Sequence, residues 1–83
     1  IMEEIGEVIH YFSKISVAAI KITNGNLKIG DKIRIKGATT DFEQVVESME
    51  INKQKIDEAK PGDEIGIKVK ERVREGDKVY KVE

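Results

Sequence analysis

Apolar and polar residues alternate along most of this chain. Between Asp31 and Lys36, Ile33 and Ile35 take one side of an extended segment and Lys32, Arg34 and Lys36 take the other. Glu64 to Lys70 repeats the pattern with Ile65, Ile67 and Val69. Lys78 to Val82 sets Val79 opposite charged neighbours, with Tyr80 and Val82. Ile5 to Phe12 reads as a strand with Gly6 inside it, which marks a bulge or the close approach of another backbone. Ile15 to Thr23 is a second strand, with Val17 and Ala19 on one side and Ala18, Ile20 and Ile22 on the other.

Several of these runs are entered through the same dipeptide. Gly30-Asp31, Gly62-Asp63 and Gly76-Asp77 each stand just before an alternating segment. Gly supplies a positive φ without a Cβ clash, and Asp is expected to bond the backbone of the residues that follow. Pro61 presets φ ahead of the second turn and removes a donor. Asn24-Gly25-Asn26 is a further turn signal. Phosphate cradles would need a helix N-terminus behind each Gly-Asp pair, and the runs that follow are strands.

Residues 41–60 admit two readings. Phe42, Val45, Val46 and Met49 fall at the spacing of an amphipathic helix, with Asp41 and Gln44 placed as a capping box. The strand reading takes the adjacent Val45-Val46, then Met49 and Ile51 at period two. Periodicity alone slightly favours the helix.

Eighty-three residues suit one domain, 1–83, with one small core. Tyr11, Phe12, Phe42 and Tyr80 are all the aromatics, so that core is built from Ile and Val, which favour strands. Without cysteine there are no disulfides or thiolate metal sites, and a reducing cytoplasm is the expected compartment. No apolar run reaches the roughly 18 residues of a membrane span. Met2 is the expected natural start, with Ile1 ahead of it. The abundance of Lys and Glu resembles a thermophile's surface.

A net charge of −1 argues against a protein that coats nucleic acid in bulk. The charge is nonetheless segregated. Residues 13–40 carry six cations against Asp31 alone, whereas residues 41–65 carry eight acids against three lysines. Lys32, Arg34 and Lys36 project from one strand face about 7 Å apart, near the spacing of adjacent phosphates. Lys28 and Lys21 would extend this row if their strands pair alongside. The row is therefore the candidate site for RNA or another anionic partner, set against a plain solubilising exterior.

Catalytic chemistry finds little footing. His10 is the single histidine and has no cysteine or second histidine to complete a metal or base site. The pairs Glu47/Glu50 and Asp57/Glu58 read as solvated, and Ser13, Ser16 and Ser48 lack a nucleophile elbow. No nucleotide-binding P-loop is present.

Three motifs together resemble a known family. Leu27-x-x-Gly30-Asp31-x-Ile33, Val46-x-Ser48-Met49-Glu50 and Ala59-x-Pro61-Gly62-Asp63-x-x-Gly66-x-x-Val69 are similar, in order and spacing, to the second domain of translational GTPases such as elongation factor Tu. Residues 39–49 and 73–80 further resemble the C-terminal barrel of collagenase-like peptidase proteins and stand-alone archaeal translation-factor-like proteins. The resemblance implies strand, not helix, for residues 42–53. It implies an all-β, six-stranded closed barrel in which Gly30, Asp31, Pro61, Gly62, Asp63, Gly66, Gly76 and Asp77 form structural turn motifs. It also implies a non-enzymatic binding module without cofactor, metal or nucleoside triphosphate. Such a module would dock onto tRNA, ribosomal RNA or a translation-related partner through Lys28, Lys32, Arg34 and Lys36. The alternative is an accessory domain serving a separately encoded peptidase-like or RNA-modifying enzyme.

Overall fold

The computed structural model describes Ile1–Glu83 as ten strands without a helix. They are β1 (Met2–Phe12), β2 (Val17–Ile22), β3 (Leu27–Lys28), β4 (Lys32–Lys36), β5 (Asp41–Val45), β6 (Met49–Ile51), β7 (Gln54–Ile56), β8 (Glu58–Ala59), β9 (Glu64–Lys68) and β10 (Lys78–Val82). Eight form one sheet in the order β5-β4-β10-β1-β2-β9-β6-β7, and β3 pairs with β8 in a separate ribbon. All pairings are antiparallel.

β1 is long because two partners divide it. β10 pairs with Met2–Glu7 and β2 with Gly6–Phe12, with irregularities in register between Glu4 and Gly6 and between Val8 and His10. Both expectations for Gly6 hold. It sits at a register shift, and a Cβ there would lie 2.5 Å from the Lys21 carbonyl oxygen. The chain ends meet on the same strand pair: Met2 is opposite Val82, and the Glu83 amide donates to the Ile1 carbonyl at 3.0 Å.

The expected strand over residues 42–53 is realised as two strands, β5 and β6, with no helix, as the family resemblance implied and helical periodicity did not. Phe42 and Val46 point inward at even spacing, while Val45 is 49 % exposed where a helix would have buried it. Val46 is held by backbone bonds of 2.8 Å to Gly30 and Asp31.

The expectation of a six-stranded closed barrel is corrected. The sheet is open, and its edge strands β5 and β7 are not paired with each other. Residues 46–48 leave the ladder, and β6 meets β9 only at Glu50–Gly66. Between β5 and the end of β9 a side chain stands where a backbone ladder would close the cylinder. Gln44 Nε2 donates to the Lys68 carbonyl, and its Oε1 accepts from the Lys70 amide, both at 2.9 Å.

The three Gly-Asp turns are one device repeated. In Lys28–Asp31, Lys60–Asp63 and Arg74–Asp77 the Asp amide donates to the first residue's carbonyl at 3.0 Å. The Asp carboxylate in turn accepts from that same residue's amide at 2.8, 2.8 and 2.9 Å. Gly30, Gly62 and Gly76 have φ of 95°, 96° and 92°, the third position of a type II turn. The carboxylate thus bonds backward, not to the residues that follow as the sequence suggested. Gly66 belongs to no turn, since it lies in the middle of β9.

The core is a single cluster of 17 buried residues, mostly Ile and Val, drawn from the inward faces of both sheets. At one corner Gly37 packs against the carboxylate of Asp77, which is 5 % exposed, leaving no space for a Cβ.

Candidate docking surface

The basic row forms on the outer face of β4, but its neighbour neutralises much of it. Arg34 donates from Nε to Asp41 Oδ1 at 2.7 Å and from Nη2 to Oδ2 at 2.9 Å. Lys32 Nζ lies 3.6 Å from Glu43, and Arg34 also approaches Glu43 at 3.9 Å. Hydrogen bonding to Asp41, reinforced by its charge, raises the Arg34 pKa above its ordinary value. The same bond holds the Asp41 carboxyl below the usual carboxylate range.

Lys36 makes no ion pair, and neither Lys28 nor Lys21 lengthens the row. Lys28 lies on the separate β3–β8 ribbon. Lys21 is on β2, three strands from β4 in the sheet order, about 14 Å away. Four expected site residues therefore become two paired cations on β4, one free cation beside them, and one cation elsewhere.

The remaining outer face is striped by charge. Lys78 of β10 bonds Glu7 of β1 at 2.9 Å and lies 3.9 Å from Glu4. The bond to Glu7 raises the Lys78 pKa. Lys81 meets Asp31 at 3.3 Å, tying β10 to the first Gly-Asp turn. Charges pair between β5 and β4 and between β10 and β1, whereas across β4 and β10 Lys36 stands directly opposite Lys78.

On the far side of β1 the surface changes character. Ile9, Phe12 and Ile15 are 38 %, 47 % and 58 % exposed. With Val17 and Ala19 they line a groove of about 530 Å³ over β1, β2 and β9. Its depth comes from Gly66, which alternates with buried Ile65 and Ile67 and so faces outward. A Cβ there would come within 3.3 Å of Val17 Cγ1. Ile65, Glu50, Asn52, Lys53 and Glu64 complete the lining. Sequence reasoning missed this site, although the signal was available. β2 carries apolar Val17 and Ala19 ahead of Lys21 on its outward face, whereas an antiparallel strand with one solvated face should be polar on that side.

A second groove lies along the seam bridged by Gln44. It is lined by Val45, Glu47, Ser48, Lys68 and Lys70 and is more polar. His10 contributes only a surface contact, with Nδ1 3.2 Å from Glu75 Oε2 and its ring edge-on to Phe12. Arg72 stacks 5.6 Å above the Tyr11 ring nearby.

Residues 16–77 match the family model of elongation factor Tu domain 2. The chain belongs to the elongation factor Tu domain 2 family. Within that family it is similar to units found in peptidase-type proteins. It is 49 % identical over 78 residues to an uncharacterised protease of Methanocaldococcus jannaschii, covering 93 % of this chain and 19 % of the relative. It is 44 % identical over 78 residues to a collagenase of Porphyromonas gingivalis, covering 93 % of this chain and 22 % of the relative. The chain thus spans about a fifth of the length of the relatives it matches.

Solved structures agree on the fold. The C-terminal domain of a Geobacillus thermoleovorans putative U32 peptidase superposes with a TM-score of 0.90 at 24 % identity, covering 98 % of this chain and 93 % of that one. Its selenomethionine variant gives 0.87 at 22 % identity, covering 93 % and 96 %.

Proposed function

We propose that this chain is a non-catalytic accessory domain of the U32 peptidase type, which docks onto the catalytic part of such a protein. The observation that carries this reading is the size of the shared unit. Nearly all of this chain recurs at 44–49 % identity inside proteins about five times longer, one named a collagenase and one a protease. Covalent chemistry on a peptide substrate then belongs to the other four-fifths. The unit supplies binding, orientation or stability. The paired cations on β4 support protein docking over RNA docking, because Arg34 and Lys32 are already engaged by Asp41 and Glu43.

The test is a graft. The matching 78 residues of the Methanocaldococcus relative are deleted, or replaced by this chain, and cleavage of gelatin and of a short fluorogenic peptide is compared. Deletion should impair turnover of gelatin or thermal tolerance, and the graft should restore it. Peptidase activity in the isolated 83-residue chain, or a folded graft that restores nothing, would refute the reading.

A further inference from the structure

We infer that the groove formed by Ile9, Phe12, Ile15, Val17 and Ala19 is the face that receives the catalytic part, through an apolar segment carrying Lys or Arg. This deepens the accessory-domain reading and rests on it. Three observations converge on the groove.

The first is exposure. Of the seven large hydrophobic residues most open to solvent, three lie here side by side, whereas Ile1 and Met2 are at the chain's start and Ile29 and Val45 are dispersed elsewhere. Contiguous exposed apolar surface marks interaction sites, and scattered single residues do not.

The second is shape. Gly66 and Ala19 oppose each other across β9 and β2, so the middle of the groove has almost no side chain. Phe12 and Val17, also opposite each other, form one wall, and the β6–β7 hairpin with Asn52 and Lys53 forms the other. A large apolar side chain would sit over Gly66, the arrangement by which a buried anchor contributes most to binding.

The third is charge. Glu50 and Glu64 flank Gly66 and make no ion pair with a cation of the chain. Lys53 is the one cation among the lining residues, with Lys55 and Lys21 directly opposite Glu50 and Glu64 in the ladders just outside it, so the lining itself carries two acids and one base. The partner is accordingly basic beside its apolar anchor. The chain outside this unit in its relatives, about four-fifths of their length, is where that segment lies.

The experiment uses the 83-residue chain, isotopically labelled, titrated with the Methanocaldococcus relative from which the matching 78 residues have been removed. Backbone amide shifts are expected at Ile9–Ala19 and Glu64–Gly66. Phe12→Asp and Ile15→Asp should each weaken binding about tenfold or more. Both residues are half-exposed, so melting temperatures should stay near wild type. Glu64→Lys should weaken binding at low salt and leave it nearly unchanged at high salt. Lys36→Glu, on the opposite side, should have no effect.

Shifts confined to β4 and β5 would overturn the groove while leaving the accessory-domain reading intact. Absence of any binding would overturn both. A concentration-dependent dimer of the chain alone, abolished by Phe12→Asp, would assign the groove to a second copy and overturn the stated partner.

Discussion

Arg34 holds both carboxylate oxygens of Asp41 from across the β4–β5 ladder, two residues out of direct register with it. The pair is therefore diagonal, and each partner's directly opposite neighbour, Glu43 or Lys36, also bears charge. Because this bond lowers the folded-state pKa of Asp41, its stabilising effect is fully present above the unfolded value near 3.9 and is lost as pH falls through the lower folded value. A carbon-detected titration should place the Asp41 midpoint below 3.9, and Arg34→Gln should return it toward that figure. An Asp41 midpoint unmoved by Arg34→Gln would contradict this assignment.

The same pairing predicts how the surface treats polyanions. Asp41→Asn combined with Glu43→Gln releases Arg34 and Lys32 beside Lys36. Binding to single-stranded RNA should strengthen, with a log–log salt slope steeper by about 0.7 for each phosphate newly contacted. Wild-type binding as tight as that of the double variant would mean that the row was never occupied internally.

Gly37 and Asp77 should behave as a coupled pair. A methyl at residue 37 displaces the carboxylate that accepts from the Arg74 amide at 2.9 Å. Gly37→Ala and Asp77→Ala should each cost about 1–3 kcal/mol. The double variant should cost less than the sum by about 1 kcal/mol, since Asp77→Ala vacates the space. Urea denaturation of the four proteins measures this, and strict additivity would show that the two do not share one site.

Asn52 and Lys53 turn the β6–β7 hairpin with φ of 51° and 66°, the left-handed pair of a type I′ turn. Asn tolerates this region and Lys does not. Lys53→Gly should raise stability by roughly 0.5–1 kcal/mol, seen as a higher urea midpoint at unchanged slope.

Gln44 should set local opening along the seam. Gln44→Leu removes both bonds to the β9 end, at about 1 kcal/mol for the exposed pair. Hydrogen exchange at the Lys70 amide should accelerate while exchange in β1 and β2 stays slow. Gln44→Glu keeps the acceptor for Lys70 and loses the donor for Lys68, so its effect should be intermediate.

Local chemistry was the legible part of this fold. Ile33, Ile35, Ile65, Ile67 and Val79 face inward as alternation required, and the three Gly-Asp turns sit where they were read. Closure was not legible, because it depends on whether β5 finds a backbone partner at the other edge. β5 and the other edge, β7, do not pair, and Gln44 instead bonds the end of β9, 24 residues away in sequence. The hairpin at Asn52-Lys53 was also missed, since Lys is a poor signal for a left-handed turn. Lys32, Arg34 and Lys36 share one strand face as alternation required, but two of these three cations are paired by β5, the very segment whose helix or strand character was ambiguous. The apolar groove is spread over three strands, and only β2 hinted at it alone.

The adjacent ends of β1 and β10 have a mechanical consequence. Met2 and Val82 leave the domain side by side, so tension applied to the two ends would peel β10 from β1 one bond pair at a time instead of shearing the whole ladder. Within a longer chain, the same proximity would make the domain a pendant with one point of attachment and the groove at the far end of an 11-residue strand, about 30 Å away. A short connector at that point would leave the pendant free to swing. Contact at Phe12 would then hold it at its opposite tip.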